Sequence, residues 1–138
     1  MSNKTITFHN PSDLFNPTPY GFCHTVTAPS NGQLVYISGQ SGGEGVEHRL
    51  SEDFRQQVRS VLTNLDIALT AHAISFGDVL KITVLIVDHD ESKLKVWSDE
   101  MLTRWPSDRL PVSTLIPVPR LALDEMKIEV DAVAFKAM

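Results

Sequence analysis

The stretch PVSTLIPVPRLALDEMKIEVDAVAF, Pro111 to Phe135, decides the fold. It reads as strand, short connection, strand. Val112 to Val118 is extended in composition. Pro117 and Pro119 bar a helix there, because proline lacks the amide proton and pushes the preceding residue out of the helical region. Arg120 to Glu125 makes the connection. From Met126 to Phe135 the residues alternate. Met126, Ile128, Val130, Ala132 and Ala134 take one face, and Lys127, Glu129, Asp131, Val133 and Phe135 the other. Glu129 and Asp131 therefore share a face of a strand, where a carboxylate is either solvated or the wall of a site.

Upstream, Ser92 to Trp105 reads as a helix, with Leu94, Trp97, Met101 and Trp105 spaced three and four apart and Pro106 as its stop. A polar loop, Asp88 to Glu91, precedes it. Val79 to Val87 is VLKITVLIV, with Leu80, Ile82, Val84 and Ile86 on one face and Val79, Lys81, Thr83, Leu85 and Val87 on the other. Apart from Lys81 and Thr83 both faces are apolar, which predicts a central strand covered on both sides.

The strongest helix opens at Ser51, a plausible N-cap, followed by Glu52 and Asp53 at the positive end of the helix dipole. Phe54, Val58, Val61, Leu62, Leu65, Ala68 and Leu69 form one apolar stripe, while Arg55, Gln56, Arg59 and Asp66 face water. Nearer the N-terminus, Thr5 to Phe8 reads as an edge strand and Asn10 to Tyr20, with Pro11, Pro17 and Pro19, as irregular chain. Phe22 to Thr27 and Gln33 to Ser38 read as a hairpin joined by the turn Pro29-Ser30-Asn31-Gly32. Gly39, Gly42, Gly43 and Gly45 follow without a GxGxxG or P-loop pattern and read as a flexible strand exit, not a phosphate cradle.

The chain of 138 residues suits one domain with one core, residues 1–138. Hydrophobic content of 42% and charged content of 21% are ordinary for a globular protein. A net charge of −5 supplies no basic footprint, which argues against a nucleic-acid partner. A single cysteine, Cys23, allows no internal disulfide and fits a reducing, cytoplasmic setting. No apolar run is long enough to span a membrane, and the N-terminal residues lack the apolar core of a secretion signal.

The predicted order β-β-β-α-β-α-β-β is an α+β domain with one mixed sheet and two helices. Two helices cover one face of such a sheet. The apolar second face of Val79–Val87, with Val133 and Phe135 beside it, predicts that another copy of the chain covers it.

Leu34-Val35-Tyr36-Ile37-Ser38-Gly39-Gln40, the spacing Pro111-x-x-Thr114-x-Ile116 and the later Leu121 and Ile128-Glu129, taken with the order of elements, resemble the RidA family, also called YjgF or L-PSP. The resemblance spans Phe22 to Phe135. It implies a chorismate-mutase-like fold and a homotrimer whose sheets form a central barrel, with clefts for a small-molecule metabolite between subunits. It further implies hydrolysis of enamines and imines to 2-oxo acids and ammonia, without cofactor or metal.

Site residues follow from the resemblance one by one. Gly39 falls where the family's backbone approaches substrate, and Phe22 takes the place of a frequent tyrosine without its hydroxyl. Trp97 stands where a small polar residue is common and narrows or caps the cleft. Glu129 matches the glutamate that orients or activates water, and is the catalytic candidate. Thr114 keeps the Ser/Thr of the family's Pro-x-Arg-Ser/Thr signature, but Ser113 replaces its arginine, which clamps the substrate carboxylate. A serine hydroxyl offers one neutral hydrogen bond in place of a bidentate charged pair. Such a loss is worth ~2–4 kcal/mol, or roughly 30- to 1000-fold in binding or rate.

Two readings follow: a metabolite-binding member without the deaminase clamp, or a working deaminase in which Arg109 or Arg120 replaces it. The endoribonuclease activity attributed to some relatives fits poorly with the acidic balance. His9, His24, His48, His72 and His89 show no metal-ligand spacing. Cys23 and His24, as strand neighbours, point apart. No G-x-S-x-G elbow surrounds Ser113.

Overall fold

The computed structural model describes residues 5–138. Its strands are β1 (Thr7–His9), β2 (Thr25–Thr27), β3 (Gly32–Ser41), β4 (Gly43–Glu44), β5 (Arg49–Leu50), β6 (Val79–Val87), β7 (Val112–Val118) and β8 (Ile128–Ala137). Two helices, α1 (Phe54–Thr70) and α2 (Glu91–Met101), lie between β5 and β7, and short 3₁₀ turns cover Thr18–Tyr20 and Phe76–Asp78. The main sheet has four strands in the order β3-β8-β6-β7. β8 runs antiparallel to both β3 and β6, and β6 runs parallel to β7. The sheet is thus mixed, and α2 is the crossover of its parallel pair.

Both helices lie on one face. Val58, Val61, Leu62, Leu65 and Leu69 of α1 are buried against Ile128, Val130, Ala132 and Ala134 of β8 and Val35 and Ile37 of β3. The alternation read for β8 holds across its apolar face. Asp53, not Ser51, caps α1: its carboxylate accepts from Gln56 N at 2.9 Å, while Ser51 Oγ accepts from Asp53 N. Arg59 faces water as expected and Arg55 is half-buried, and both also pair with Glu100 of α2, at 2.9 and 2.6 Å. α2 ends at Met101, before the expected Trp105, which is still buried in the following turn.

One pairing differs from the sequence reading. β2 pairs with β1 and not with β3, whose ten residues run along β8. A turn signal marks a reversal without selecting the partner. The length of β3 and the match of Val35 and Ile37 with Ala134 and Ala132 select it. The strands β7 and β8 are not neighbours, because β6 lies between them. A small β4–β5 hairpin fills the glycine-rich strand exit.

β6 is covered on one face within the chain. Ile82, Val84 and Ile86 are fully buried, while Leu85 and Val87 are half-buried and Lys81 is exposed. A register shift between Val79 and Lys81 turns Val79 into the core and leaves Leu80 half-buried, the reverse of strict alternation. The other sheet face carries Tyr36, Leu34 and Ile116 at 74, 51 and 43% exposure. Its exposed apolar side chains, of the kind that mark association, stand beside Lys81, Thr83, Thr114, Glu129 and Asp131.

Candidate functional site

Register decides which face each signature residue serves. Ser113 and Leu115 of β7 sit opposite Ile82 and Val84 of β6, on the helix-covered face. Thr114 and Ile116 sit opposite Thr83 and Leu85, on the open face. Ser113 and Leu115 form the floor of a cavity of about 610 Å³, walled by Leu94 and Trp97 of α2 and by Phe15, Tyr20 and Phe22. Trp97 is buried in the core as well as lining this cavity.

The aromatic wall is anchored. His24 Nε2 hydrogen-bonds to the Phe15 carbonyl at 2.8 Å, and Ser98 Oγ of α2 donates to the Tyr20 carbonyl at 3.2 Å. Gly21, between Tyr20 and Phe22, has φ +85°, and a Cβ there would lie 2.4 Å from Met101 Sδ. Only glycine lets the segment both turn and rest on α2. α2 is in turn held to α1 by Glu100, whose pKa is lowered chiefly by its hydrogen bond from Arg59 and further by Arg55.

A second group lies on the open face. Glu129 of β8 stands between Leu85 of β6 and Ser41 of β3. The register shift between Ile37 and Gln40 brings Gly39 against its side chain, so that an added Cβ would lie 2.7 Å from the Glu129 carboxyl carbon. Ser41 Oγ shares a hydrogen bond with His48 Nε2 and accepts from Gly43 N at 3.2 Å. His48 has φ +56°, a conformation that bulky residues adopt rarely. The structure therefore brings Phe22, Trp97 and Ser113 together, and leaves Gly39, Glu129 and Thr114 on the opposite face of the sheet.

Among the described residues, none that lines the Ser113 cavity is charged. Arg109 donates from Nε to the Gly77 carbonyl at 3.0 Å, and its guanidinium lies 4.9 Å from the Phe8 ring. Arg120 pairs with Asp124. Neither arginine considered as a replacement for the clamp lines the cavity. Cys23 and His24 form no dyad: the thiol donates to the Thr25 carbonyl at 3.2 Å. Among the described residues no three His, Cys, Asp or Glu side chains gather as a metal-ligand set, and no helix is long and apolar enough to cross a membrane.

Sequence reasoning missed Phe15, Tyr20 and the Ser41–His48 pair. The available signal was the aromatic series Phe15, Tyr20, Phe22, His24 in a segment that supplies no core strand. Nothing local announced that Ser41 and His48 meet.

The endoribonuclease L-PSP family model matches residues 18–136. The 2-iminobutanoate/2-iminopropanoate deaminase of Salmonella typhimurium is 28% identical over 134 residues, 97% of this chain and 98% of that protein. A RutC family protein of Pyrococcus horikoshii is 32% identical over 111 residues, 76% and 81% of the two chains. Among solved structures, the Rid family protein YyfB of Yersinia pestis superposes with a TM-score of 0.87 at 25% identity, covering 94% of this chain and 97% of that one. These matches agree with the mixed sheet and its two helices, and the chain belongs to the endoribonuclease L-PSP family, the RidA/YjgF proteins.

Proposed function

We propose that this protein is a cytoplasmic homotrimer that binds a small metabolite in a cleft between subunits and does not hydrolyse 2-imino acids at a useful rate. The observation that carries the reading is Ser113 on the floor of a cavity with no charged lining residue, while Arg109 and Arg120 are engaged elsewhere. A 2-imino acid is an anion. Without a guanidinium its carboxylate loses water on entry and gains no countercharge. The open apolar face supports the trimer: three such faces turned inward would make a barrel, burying Leu34, Tyr36 and Ile116. Each cavity, at the β7 edge, would then lie beside a neighbouring subunit. Glu129 and Gly39 would reach a ligand only if the assembly brings them there, with Glu129 as the group that orients water and Thr114 at the subunit boundary. No cofactor or metal is required for this.

The test is an imine-trapping assay. A threonine dehydratase releases 2-iminobutanoate, semicarbazide competes for it, and the Salmonella relative serves as the reference. We expect the wild type to be roughly 30- to 1000-fold slower, the factor set by loss of a charged pair. Ser113→Arg should recover affinity for small carboxylates such as 2-oxobutanoate. Wild-type rates equal to the reference would make the protein a deaminase with relocated binding groups. Sedimentation as a stable monomer at micromolar concentration would remove the intersubunit cleft.

A further inference from the structure

We propose that the Ser113 cavity selects an uncharged, planar ring compound of about the size of indole; this rests on the reading of that cavity as the metabolite site. Its volume of about 610 Å³ lies within the ~300–1,000 Å³ range of small-molecule sites. Four of its lining residues are aromatic, Phe15, Tyr20, Phe22 and Trp97, and the polar side-chain groups among the lining residues are the Ser113 and Tyr20 hydroxyls and the Trp97 indole N–H. Such a lining suits an apolar body with a hydrogen-bonding atom, and offers an anion only neutral donors and no countercharge for its hydration.

The absence of charge in the lining separates a neutral ring from a cation as well as from an anion. A cage for an ammonium group needs several ring faces converging on one point. Here Phe15 meets Tyr20 and Phe22 edge to face, at 6.0 Å and interplanar angles of 83° and 70°. It meets His24 in the same way at 5.0 Å and 87°. Among the described residues no carboxylate lines the cavity to hold a cation. A further flat ring continues the same perpendicular order. Phe15 and Tyr20 are 60% and 51% exposed although their loop is tied to α2 and His24. Within one subunit the apolar wall is anchored and uncovered, open to a ligand at the proposed subunit boundary.

The experiment is calorimetric titration of the full chain with indole, choline and 2-oxobutanoate as neutral, cationic and anionic probes. Indole is expected to bind and the other two not. Phe15→Ala should weaken indole about tenfold, in line with a lost aromatic contact plus its buried area. Phe15→Leu, which keeps apolar surface but not the ring, should restore only part of this. Phe15 is exposed, so folding of both variants is checked by unchanged thermal unfolding. Choline binding in place of indole overturns the inference and leaves the clamp-free reading standing. 2-Oxobutanoate binding to the wild type overturns both. Binding of none of the three overturns the inference alone, since the trapping assay and sedimentation decide the reading independently. Full recovery by Phe15→Leu refutes the role of the ring.

Discussion

Gln57 is fully buried in α1, and its amide is shared among three backbone groups. Nε2 donates to the Ser51 and Glu125 carbonyls at 2.7 and 2.9 Å, and Oε1 accepts from Lys127 N at 2.9 Å. One side chain thus ties the start of α1 to the loop that leads into β8 and Glu129. Gln57→Leu has similar volume and removes all three bonds. A buried backbone group without a partner costs about 1–3 kcal/mol, so three set a ceiling of roughly 9 kcal/mol. Two effects reduce it. The loop around Ala122–Glu125 is exposed and can turn its carbonyl to water, and leucine adds about 1–2 kcal/mol of apolar burial. The net loss should be about 2–4 kcal/mol, or about 10 °C in Tm for a domain of this size. Gln57→Glu should be worse at neutral pH, because a carboxylate cannot donate to the two carbonyls and is charged. The assay is urea unfolding at one fixed protein concentration, because self-association shifts apparent stability. A leucine variant within about 1 kcal/mol of wild type, or a glutamate variant more stable than it, would refute the bridging role.

Glu129→Gln should alter ligand binding or turnover while association state and thermal stability stay nearly unchanged. A large drop in Tm with unaltered binding would make Glu129 a structural carboxylate. Glu100 supplies a pH prediction. Its folded-state pKa lies below the ordinary value of 4.5, first through the Arg59 hydrogen bond. The stability it contributes is therefore complete above the unfolded-state pKa and is lost as pH falls through the lower folded value. Glu100→Gln should flatten the acid limb of the stability–pH curve, and an unchanged limb would show that the Arg55–Glu100–Arg59 group contributes nothing to it.

Elements whose burial is periodic were legible. The α1 stripe, the apolar face of β8 and the bounds of β6 and β7 follow from side-chain alternation and proline placement. Pairing was less so. β3 chooses β8 over β2 through contacts about a hundred residues away in sequence, which no turn signal encodes. The same limit applied to the site. Ser113 and Trp97 stood out as departures from a family pattern, and the structure unites them with Phe22. Phe15 and Tyr20 lie in a proline-bounded loop with no periodicity, so their wall emerges only when Gly21 seats the loop on Met101. The positions of Arg109 and Arg120 depend on partners at Gly77, Phe8 and Asp124, and became readable only in three dimensions.

Ser113 and Thr114 are adjacent in sequence, yet strand geometry sends one into the helix-side cavity and the other to the bare face. The dipeptide therefore works as two independent dials. On the reading proposed above, drift at 113 changes which molecule is held and leaves the open face unaltered, and drift at 114 does the converse. An insertion of one residue within β7 would exchange the faces of every position after it. Under the same proposal, point substitution changes the ligand while keeping the assembly, and length changes inside β7 are the ones its architecture tolerates least.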